Sequence, residues 1–570
     1  MEKWFLSMKK ADFNQIARKY NISPILARLI RNRDLIGDEQ IDFYLNGTIA
    51  DLYDGILMKD MDKAVEILSE KIREDKPIRV IGDYDIDGVN ATYVLQEGIS
   101  KLGGNVDTDI PDRMRDGYGL NQALIDRALA DGIDTIITCD NGIAAADEID
   151  YGRQQGLTVI VTDHHEVPYL EDGGEKEYIL PRADAVVDPH RTDCEYPFKE
   201  LCGAAVAYKL IEVLFEVMLR DVDDIDYLME NVAIATVGDV MDLTGENRIF
   251  VKQGLEMLKR THNYGLRALI ECTKISVERL SAYHIGFVLG PCINASGRLD
   301  TAKRALELLM ADNCRDAMML AEDLKALNDS RKQMTEKGVE EAVRQIEEGP
   351  LKEDKVLVVY LPDCHESIAG IIAGRIREKY YRPTFVLTRG ARGVKGSGRS
   401  TPVYNMFEEM CRCRELFTKF GGHKLAAGLS LEEENVDKFR RSINELSNLS
   451  ADDLLPKVSI DMQLPFVYVT ETLVEEIELM QPFGKGNPRP LFAEKHLKVI
   501  NPRIIGKNQN VLKFQAEDVN GNRLQAVYFG EVHECLKYME QKQELSLTFY
   551  PSVNEYRGVK NLQITVVNYQ

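Results

Sequence analysis

The sequence has no apolar run of membrane-spanning length, no zinc-type pairing of cysteines and no excess of positive charge. Each absence narrows the reading. Without about 20 consecutive apolar residues, no bilayer-crossing helix is expected. The opening MEKWFLSMKKADF has no central apolar stretch, so no secretory leader is expected either. The 10 cysteines are scattered, and Cys411 and Cys413 have no second pair nearby. That argues against structural zinc and for reduced thiols in the cytoplasm. With 71 Lys and Arg against 93 Asp and Glu, the net charge is −22. Such a surface does not capture polyanions indiscriminately, although a local basic groove stays open. What is present is ordinary for a globular protein: 570 residues, 44% hydrophobic and 29% charged, enough for several domains with cores of their own.

The densest chemistry lies in Ile78 to Thr92, IRVIGDYDIDGVNAT. A short apolar run, Ile78 to Ile81, leads into Asp83, Asp85 and Asp87, spaced i, i+2, i+4. If strand geometry continues, all three carboxylates point to one side. Like charges so placed need a cation between them, and carboxylate oxygens suit Mg²⁺ or Mn²⁺. By itself this stretch is equally a solvated acidic turn. Two more apolar strands end in similar groups: DTIITCDNGI in Asp140, and TVIVTDHHE in Asp163, His164 and His165. Asp239 follows a long apolar helical run. In a parallel sheet, ligands bind outside the carboxyl ends of the strands, so these groups are expected to converge. Five of these Asp with one or two His are an inventory for two metal ions.

The wider pattern is α/β. Strands at Arg79–Gly82, Val106–Ile110, Thr135–Thr138, Thr158–Thr162 and Ala185–Val187 alternate with helices, which predicts a parallel sheet covered on both faces. Beyond the last of them, His190 reads as part of a loop, and Gly203 with Ala204 as the packed start of a helix. Residues 1–54 read as a lead-in of short helices, residues 55–265 as the parallel-sheet domain and residues 266–348 as a long helical connector. Within the connector, Asn294, Ser296, Gly297 and Arg298 read as a polar loop before a helix, a suitable anion site. Residues 349–450 form a second α/β lobe, in which one acid, Glu378, faces eight Lys and Arg between Arg375 and Arg399. Gly396, Ser397 and Gly398 read as a loop with exposed N–H groups beside Arg399. Gly421, Gly422 and Gly428 flank His423 and Lys424 in a second glycine-rich element. Residues 451–570 alternate in short strands, with an Asn520–Asn522 hairpin, and suggest a small barrel.

GDYDIDG, CDNGI, TDHH and VGDVMDL, in this order, resemble the four motifs of the DHH phosphoesterase superfamily. GPCINASGRL, HESIAGIIAGRI, GSGRS, GGHKLAAG and QPFGKGNPRPLF extend the likeness to the RecJ family of single-stranded-DNA-specific exonucleases, over nearly the whole chain. The resemblance implies a DHH domain, a DHH-associated domain in the second lobe and an OB-type β-barrel at the end. It implies two Mn²⁺ or Mg²⁺ ions held by Asp83, Asp85, Asp87, Asp140, His164 and Asp239, with Asp140 bridging. Asp163 would orient the histidines, and His165 would contact phosphate or donate a proton. Arg113, Arg298, His365, Ser397, Arg399, Gly421, Gly422 and His423 would hold substrate phosphates, with Arg115 a weaker candidate. The implied reaction is 5′-to-3′ degradation of single-stranded DNA to mononucleotides in recombination and repair. The implied protein is a cytoplasmic monomer working with a helicase and a single-strand-binding protein. Cys292 stands where family members commonly carry Arg, and Ser367 where Gly is usual. Two rivals differ in kind: a DHH phosphodiesterase of short oligonucleotides or cyclic dinucleotides, and a non-catalytic replication scaffold, which should have lost ligands.

Overall fold

The computed structural model of the chain describes residues 2–112, 119–172, 175–390, 392–556 and 558–570. Two compact units emerge: Asp54–Asp239 with Gly254–Pro456, and Met1–Tyr53 with Val240–Gln253 and Lys457–Gln570.

In the larger unit the apolar runs form β1 (Ile78–Ile81), β2 (Val106–Asp109), β3 (Thr135–Cys139), β4 (Thr158–Thr162) and β5 (Ala185–Val187). They pair in parallel in the order β2–β1–β3–β4–β5. Ile81, Ile136 and Val161 pack with Leu124, Ile125 and Ile149 from the helices on one face. Helices α1 (Ile86–Lys101) and α2 (Gly203–Val217) pack against each other and the sheet, giving the two covered faces that near-continuous apolar strands require. A two-stranded ribbon, Tyr169–Asp172 with Glu175–Tyr178, adds to the expected elements; its polar composition carries no strand signal.

Helix α3 (Met229–Gly238) ends at Asp239, and α4 (Gly290–Leu299) contains the segment whose sequence reads as a polar loop. That expectation is corrected: Asn294, Ser296, Gly297 and Arg298 are helical, and Arg298 lies in the last turn, not at an N-terminus. The Gly290–Pro291 pair misleads, because proline is tolerated in a first helical turn. The connector is dominated by α5, the 35 residues Cys314–Glu348.

A second sheet of the same unit runs β9–β10–β8–β7–β6, with β6 at Leu357–Tyr360, β7 at Thr384–Arg389, β8 at Val394–Arg399, β9 at Phe417–Gly422 and β10 at Ala426–Leu431. Only β6 and β7 are parallel; the rest are antiparallel. Helix α6 (Glu366–Tyr380) packs on β7 and β8.

In the smaller unit, Phe492–Ile505, Val511–Glu517, Arg523–Tyr528, Val559–Tyr569 and Leu545–Tyr556 pair in that order, and the last pairs back to the first. This closed ring of five strands is consistent with an OB fold. Leu497, Leu512, Phe514, Phe549 and Ile564 belong to its core, joined by Leu26, Leu29, Ile30 and Tyr44 of the lead-in. The Arg248 guanidinium donates to the carbonyls of Tyr44, Leu479 and Met480 at 2.9, 3.1 and 2.8 Å. The reading of the lead-in as helices alone omits a strand, Lys3–Leu6, which pairs in parallel with Lys457–Ile460.

Candidate metal centre and phosphate site

Asp83, Asp85 and Asp87 do not continue the strand, so the one-face arrangement expected from alternation is replaced by another. β1 stops at Ile81, and Asp85 caps α1, its Oδ1 accepting from the N–H groups of Asp87 (2.9 Å) and Gly88 (3.1 Å). Gly88 permits the tight turn, since a Cβ there would fall 2.5 Å from the Asp83 carbonyl oxygen. The acids therefore part. Asp83 and Asp85 approach Asp140, while Asp87, already helical, approaches His164 and Asp239.

Asp140 leaves β3 in a left-handed conformation, φ 59°, which aspartate tolerates better than most residues. His164 Nε2 lies 3.0 Å from Asp140 Oδ1, 3.4 Å from Asp87 Oδ2 and 4.0 Å from Asp239 Oδ2. In each of three sets, Asp83–Asp85–Asp140, Asp87–His164–Asp239 and Asp140–His164–His165, the potential ligand atoms lie within 4.8 Å of one another. Asp140 belongs to two of them, the position a bridging carboxylate needs. Oxygen-rich donors with one buried imidazole suit Mn²⁺ or Mg²⁺.

The electrostatics agree. Burial, and then the charges of Asp87, Asp85, Asp83 and Asp163, hold the Asp140 carboxyl well above its usual range. Burial also raises Asp87, although His164 and the α2 N–H groups oppose it. Asp163 goes the other way: burial raises it, but the hydrogen bond and charge of His165 prevail and lower it. Its Oδ1 meets His165 Nδ1 at 2.7 Å, and its Oδ2 accepts from Ile143 N–H at 2.9 Å. For His165 burial is outweighed by Asp163, which lifts the imidazole to about 9. His164, more deeply enclosed, is pulled down by burial.

Three supports escape the sequence reading. Gly203 and Ala204, which read as packing, donate their N–H groups to the two carboxylate oxygens of Asp87 at 2.6 and 2.8 Å. A Cβ on Gly203 would lie 2.7 Å from the Cβ of Asp140, so only glycine lets the α2 N-terminus approach. Asn294 Oδ1 accepts from Ile86 N–H at 2.9 Å. His190, assigned to a loop, places its Nδ1 2.6 Å from the His164 carbonyl oxygen. The small-residue start of CGAAVAYKL is the one visible signal.

Asn294 and Arg298 lie four residues apart on α4, hence on one face. Arg298 Nη1 donates to the Ser367 carbonyl at 3.1 Å, at the start of α6. His365 caps α6, and its Nδ1 lies 2.7 Å from Ser367 Oγ, a contact glycine could not make. Arg399 Nη1 donates to the Gly398 carbonyl at 2.8 Å, and Gly370 of α6 leaves room for the guanidinium. Ser367, Lys395, Ser397 and Gly428 share a cavity of about 220 Å³. Cys292 is buried in α4 and accepts from Asn328 of α5 at 3.4 Å.

The glycine-rich loops are corrected. Gly396, Ser397 and Gly398 lie inside β8, paired on both sides, so their N–H groups serve the sheet. Gly396 and Gly398 are required because a Cβ would strike Leu387 and Met406. Gly421 and Gly422 end β9, and Gly421 pairs with Gly428, which pairs with Ser397, giving a strip of small residues across three strands. His423 is exposed at the hairpin turn, and no contact brings it to the other phosphate candidates among the described residues. Arg382 is spent on the carbonyls of Lys352 and Asp354. Arg113 and Arg115 lie outside the described residues.

Residues 77–236 match the DHH family, N-terminal domain; residues 353–448 match the DHHA1 domain; and residues 460–568 match the RecJ OB domain. The single-stranded-DNA-specific exonuclease RecJ of Escherichia coli (strain K12) is 34% identical over 570 residues, spanning 96% of each chain. The same-named protein of Bacillus subtilis (strain 168) is 33% identical over 557 residues, spanning 97% of this chain and 68% of that one. The crystal structure of RecJ in complex with Mn²⁺ from Thermus thermophilus superposes with a TM-score of 0.84 at 26% identity, covering 100% of this chain and 79% of that one. Among the described residues, no helix is long and apolar enough to cross a membrane.

Proposed function

The chain belongs to the RecJ family, and on that premise we propose that it is a metal-dependent 5′-to-3′ exonuclease that degrades single-stranded DNA to 5′-mononucleotides in recombination and repair. The observation that carries the reading is α4. One face of this helix fixes the acidic loop through Asn294 and reaches the second lobe through Arg298, tying a candidate metal centre to a candidate phosphate clamp.

In this reading Asp83, Asp85 and Asp140 would hold one ion and Asp87, His164 and Asp239 the other, with Asp140, 3.0 Å from His164, within reach of both groups. When bound, two Mn²⁺ or Mg²⁺ ions supply a more acidic water and stabilise charge on the phosphoryl oxygens. The chain's own groups do the rest. Asp163 fixes His165 through Nδ1, leaving the protonated Nε2–H to donate to the departing 3′ oxygen. Water attacks phosphorus, the P–O3′ bond breaks, and the first nucleotide leaves. The shortened strand then carries a fresh 5′-phosphate. Arg298, Ser397 and Arg399, with His365, Gly421, Gly422, His423 and Arg113, receive that terminus. Polarity follows without base contacts, because guanidinium groups read phosphate alone.

The domains of this reading are a lead-in (1–54), a DHH domain (55–265), a connector (266–348), a DHH-associated domain (349–450) and an OB domain (451–570). The protein acts in the cytoplasm as a monomer, supplied with single strands by a helicase and a single-strand-binding protein.

The test is hydrolysis with Mn²⁺ of 5′- and 3′-labelled single strands, blunt duplex and dinucleotides. Mononucleotides released first from the 5′ end of single strands are expected. Equal rates on blunt duplex would overturn strand selectivity. Cleavage of dinucleotides alone would favour the small-substrate phosphodiesterase.

A further inference from the structure

A basic concavity lies away from the metal centre. A groove of about 700 Å³ is lined by Leu258, Ile270, Ile275 and Val277, and by Lys259, Arg260, His262, Arg267 and Lys274, with Glu271 the one acid. In a chain of net charge −22 this local reversal of sign is unusual. Lys259 is held by Glu256 at 2.6 Å, but among the described residues no ion pair involves Arg267 or Lys274, both exposed.

Its place is fixed by Thr261, another lining residue. The Thr261 hydroxyl donates to Glu230 at 2.7 Å, at the beginning of α3, whereas Asp239 terminates the other end of that helix. Nine residue steps along the helix separate Glu230 from Asp239, about 14 Å at about 1.5 Å per residue. The groove is thus remote from the candidate reaction centre, and the exonuclease reading leaves it unused.

Its chemistry selects a ligand class. Leu258 and Ile270 are buried and Ile275 is half-buried, so they form an apolar floor, while the cations stand exposed around it. Among the described residues no Phe, Tyr or Trp lines the groove, whose one ring is the imidazole of His262. Single-stranded nucleic acid is usually gripped by a series of stacked aromatic rings along a cationic track, and such a series is missing. An apolar floor inside a cationic rim complements a peptide that alternates carboxylates with aliphatic side chains. We propose that this groove docks a short acidic, aliphatic peptide segment of a partner protein.

The direct test is fluorescence anisotropy with a labelled twelve-residue peptide of glutamate and leucine, titrated with the full-length chain in chelator and again in Mn²⁺. Three controls accompany it: a peptide with lysine for glutamate, one with serine for leucine, and an oligo-dT strand as competitor. Saturable binding of the glutamate–leucine peptide alone is expected, alike with and without Mn²⁺. Charge reversal at the exposed pair, Arg267→Glu with Lys274→Glu, should weaken it at least about tenfold, with hydrolysis of single strands unchanged. The milder pair Arg267→Gln with Lys274→Gln should weaken it less, which guards against misfolding as the cause. No saturable binding, equal binding by the reversed variant, equal binding of the serine peptide, or full displacement by oligo-dT would each overturn the proposal.

Discussion

The two sheets of the larger unit place their polar groups in different ways. In the first, all-parallel sheet, the groups stand at the carboxyl edge, beyond the ends of the strands. There buried carboxylates crowd one another, and burial with mutual repulsion pushes Asp140 far from its ordinary ionisation. In the second, mixed sheet, Ser397 and Arg399 lie on the face of an interior strand, covered by α6. There the guanidinium has a carbonyl partner and a glycine-lined space. On the proposed reading the first arrangement calls for a cation to offset its acids, whereas the second has its partners within the protein and would receive an anion. Metal should therefore change the stability of the first lobe and leave the second almost untouched.

The largest effect is expected at Asp140. Asp140→Asn should lower hydrolysis by about a thousandfold or more, since the carboxylate proposed to serve both ions is lost. The same change should raise the melting temperature of metal-free protein, because a buried acid whose ionisation is opposed by burial and by its neighbours is replaced by a neutral amide. Calorimetry on chelator-treated wild type and variant, paired with the rate, checks both signs. A variant less stable than wild type without metal would break the contrast between the sheets.

Arg399→Ala is the matching change in the second lobe. Binding of 5′-phosphorylated strands should weaken by about 1.5–3 kcal/mol, the worth of a hydrogen bond to a charged group. The rise in Tm on adding Mn²⁺ should persist. Matched 5′-phosphate and 5′-hydroxyl oligonucleotides read the effect. If wild type treats the two alike and the variant slows neither, the clamp is elsewhere.

The contrast also has an internal control. Glu230 is a buried carboxyl in the first lobe, away from the cluster and bonded to Thr261. Burial raises it from the usual 4.5 to about 7, against the Thr261 hydrogen bond. The folded chain thus binds this proton more tightly than the unfolded chain. Its share of stability is greatest at acid pH and falls as pH rises from about 4.5 through about 7. Glu230→Gln should remove that slope and stabilise the protein at pH 8 by about 1–3 kcal/mol. Equal pH slopes in wild type and variant would show that burial costs this carboxyl nothing.

Much of this is legible in the sequence. The five parallel strands stand out as apolar runs, and the acids and histidines at their ends point to one edge. The barrel is visible in the alternation of the tail, down to the Asn520–Asn522 turn, where β-strands Val511–Glu517 and Arg523–Tyr528 meet. What escapes depends on contacts between distant segments. Gly203 looks like packing because the carboxylate it serves, on Asp87, is more than a hundred residues away. Gly396 and Gly398 look like a loop because nothing local announces that Leu387 and Met406 fill the space beside them. α4 looks irregular because glycine and proline open it and Gly297 interrupts it, yet that glycine lets the helix pass within contact of the Tyr84 carbonyl.

The most direct test of the account counts metal ions and products together. Chelator-stripped protein would be equilibrated with Mn²⁺, the bound ions counted by electron paramagnetic resonance, and release of nucleotides from a 5′-phosphorylated single strand followed in the same samples. Two ions per chain, fewer in Asp140→Asn, and mononucleotides only when the ions are restored are the results predicted. A stripped chain that binds no Mn²⁺ and still releases mononucleotides in excess chelator would contradict it.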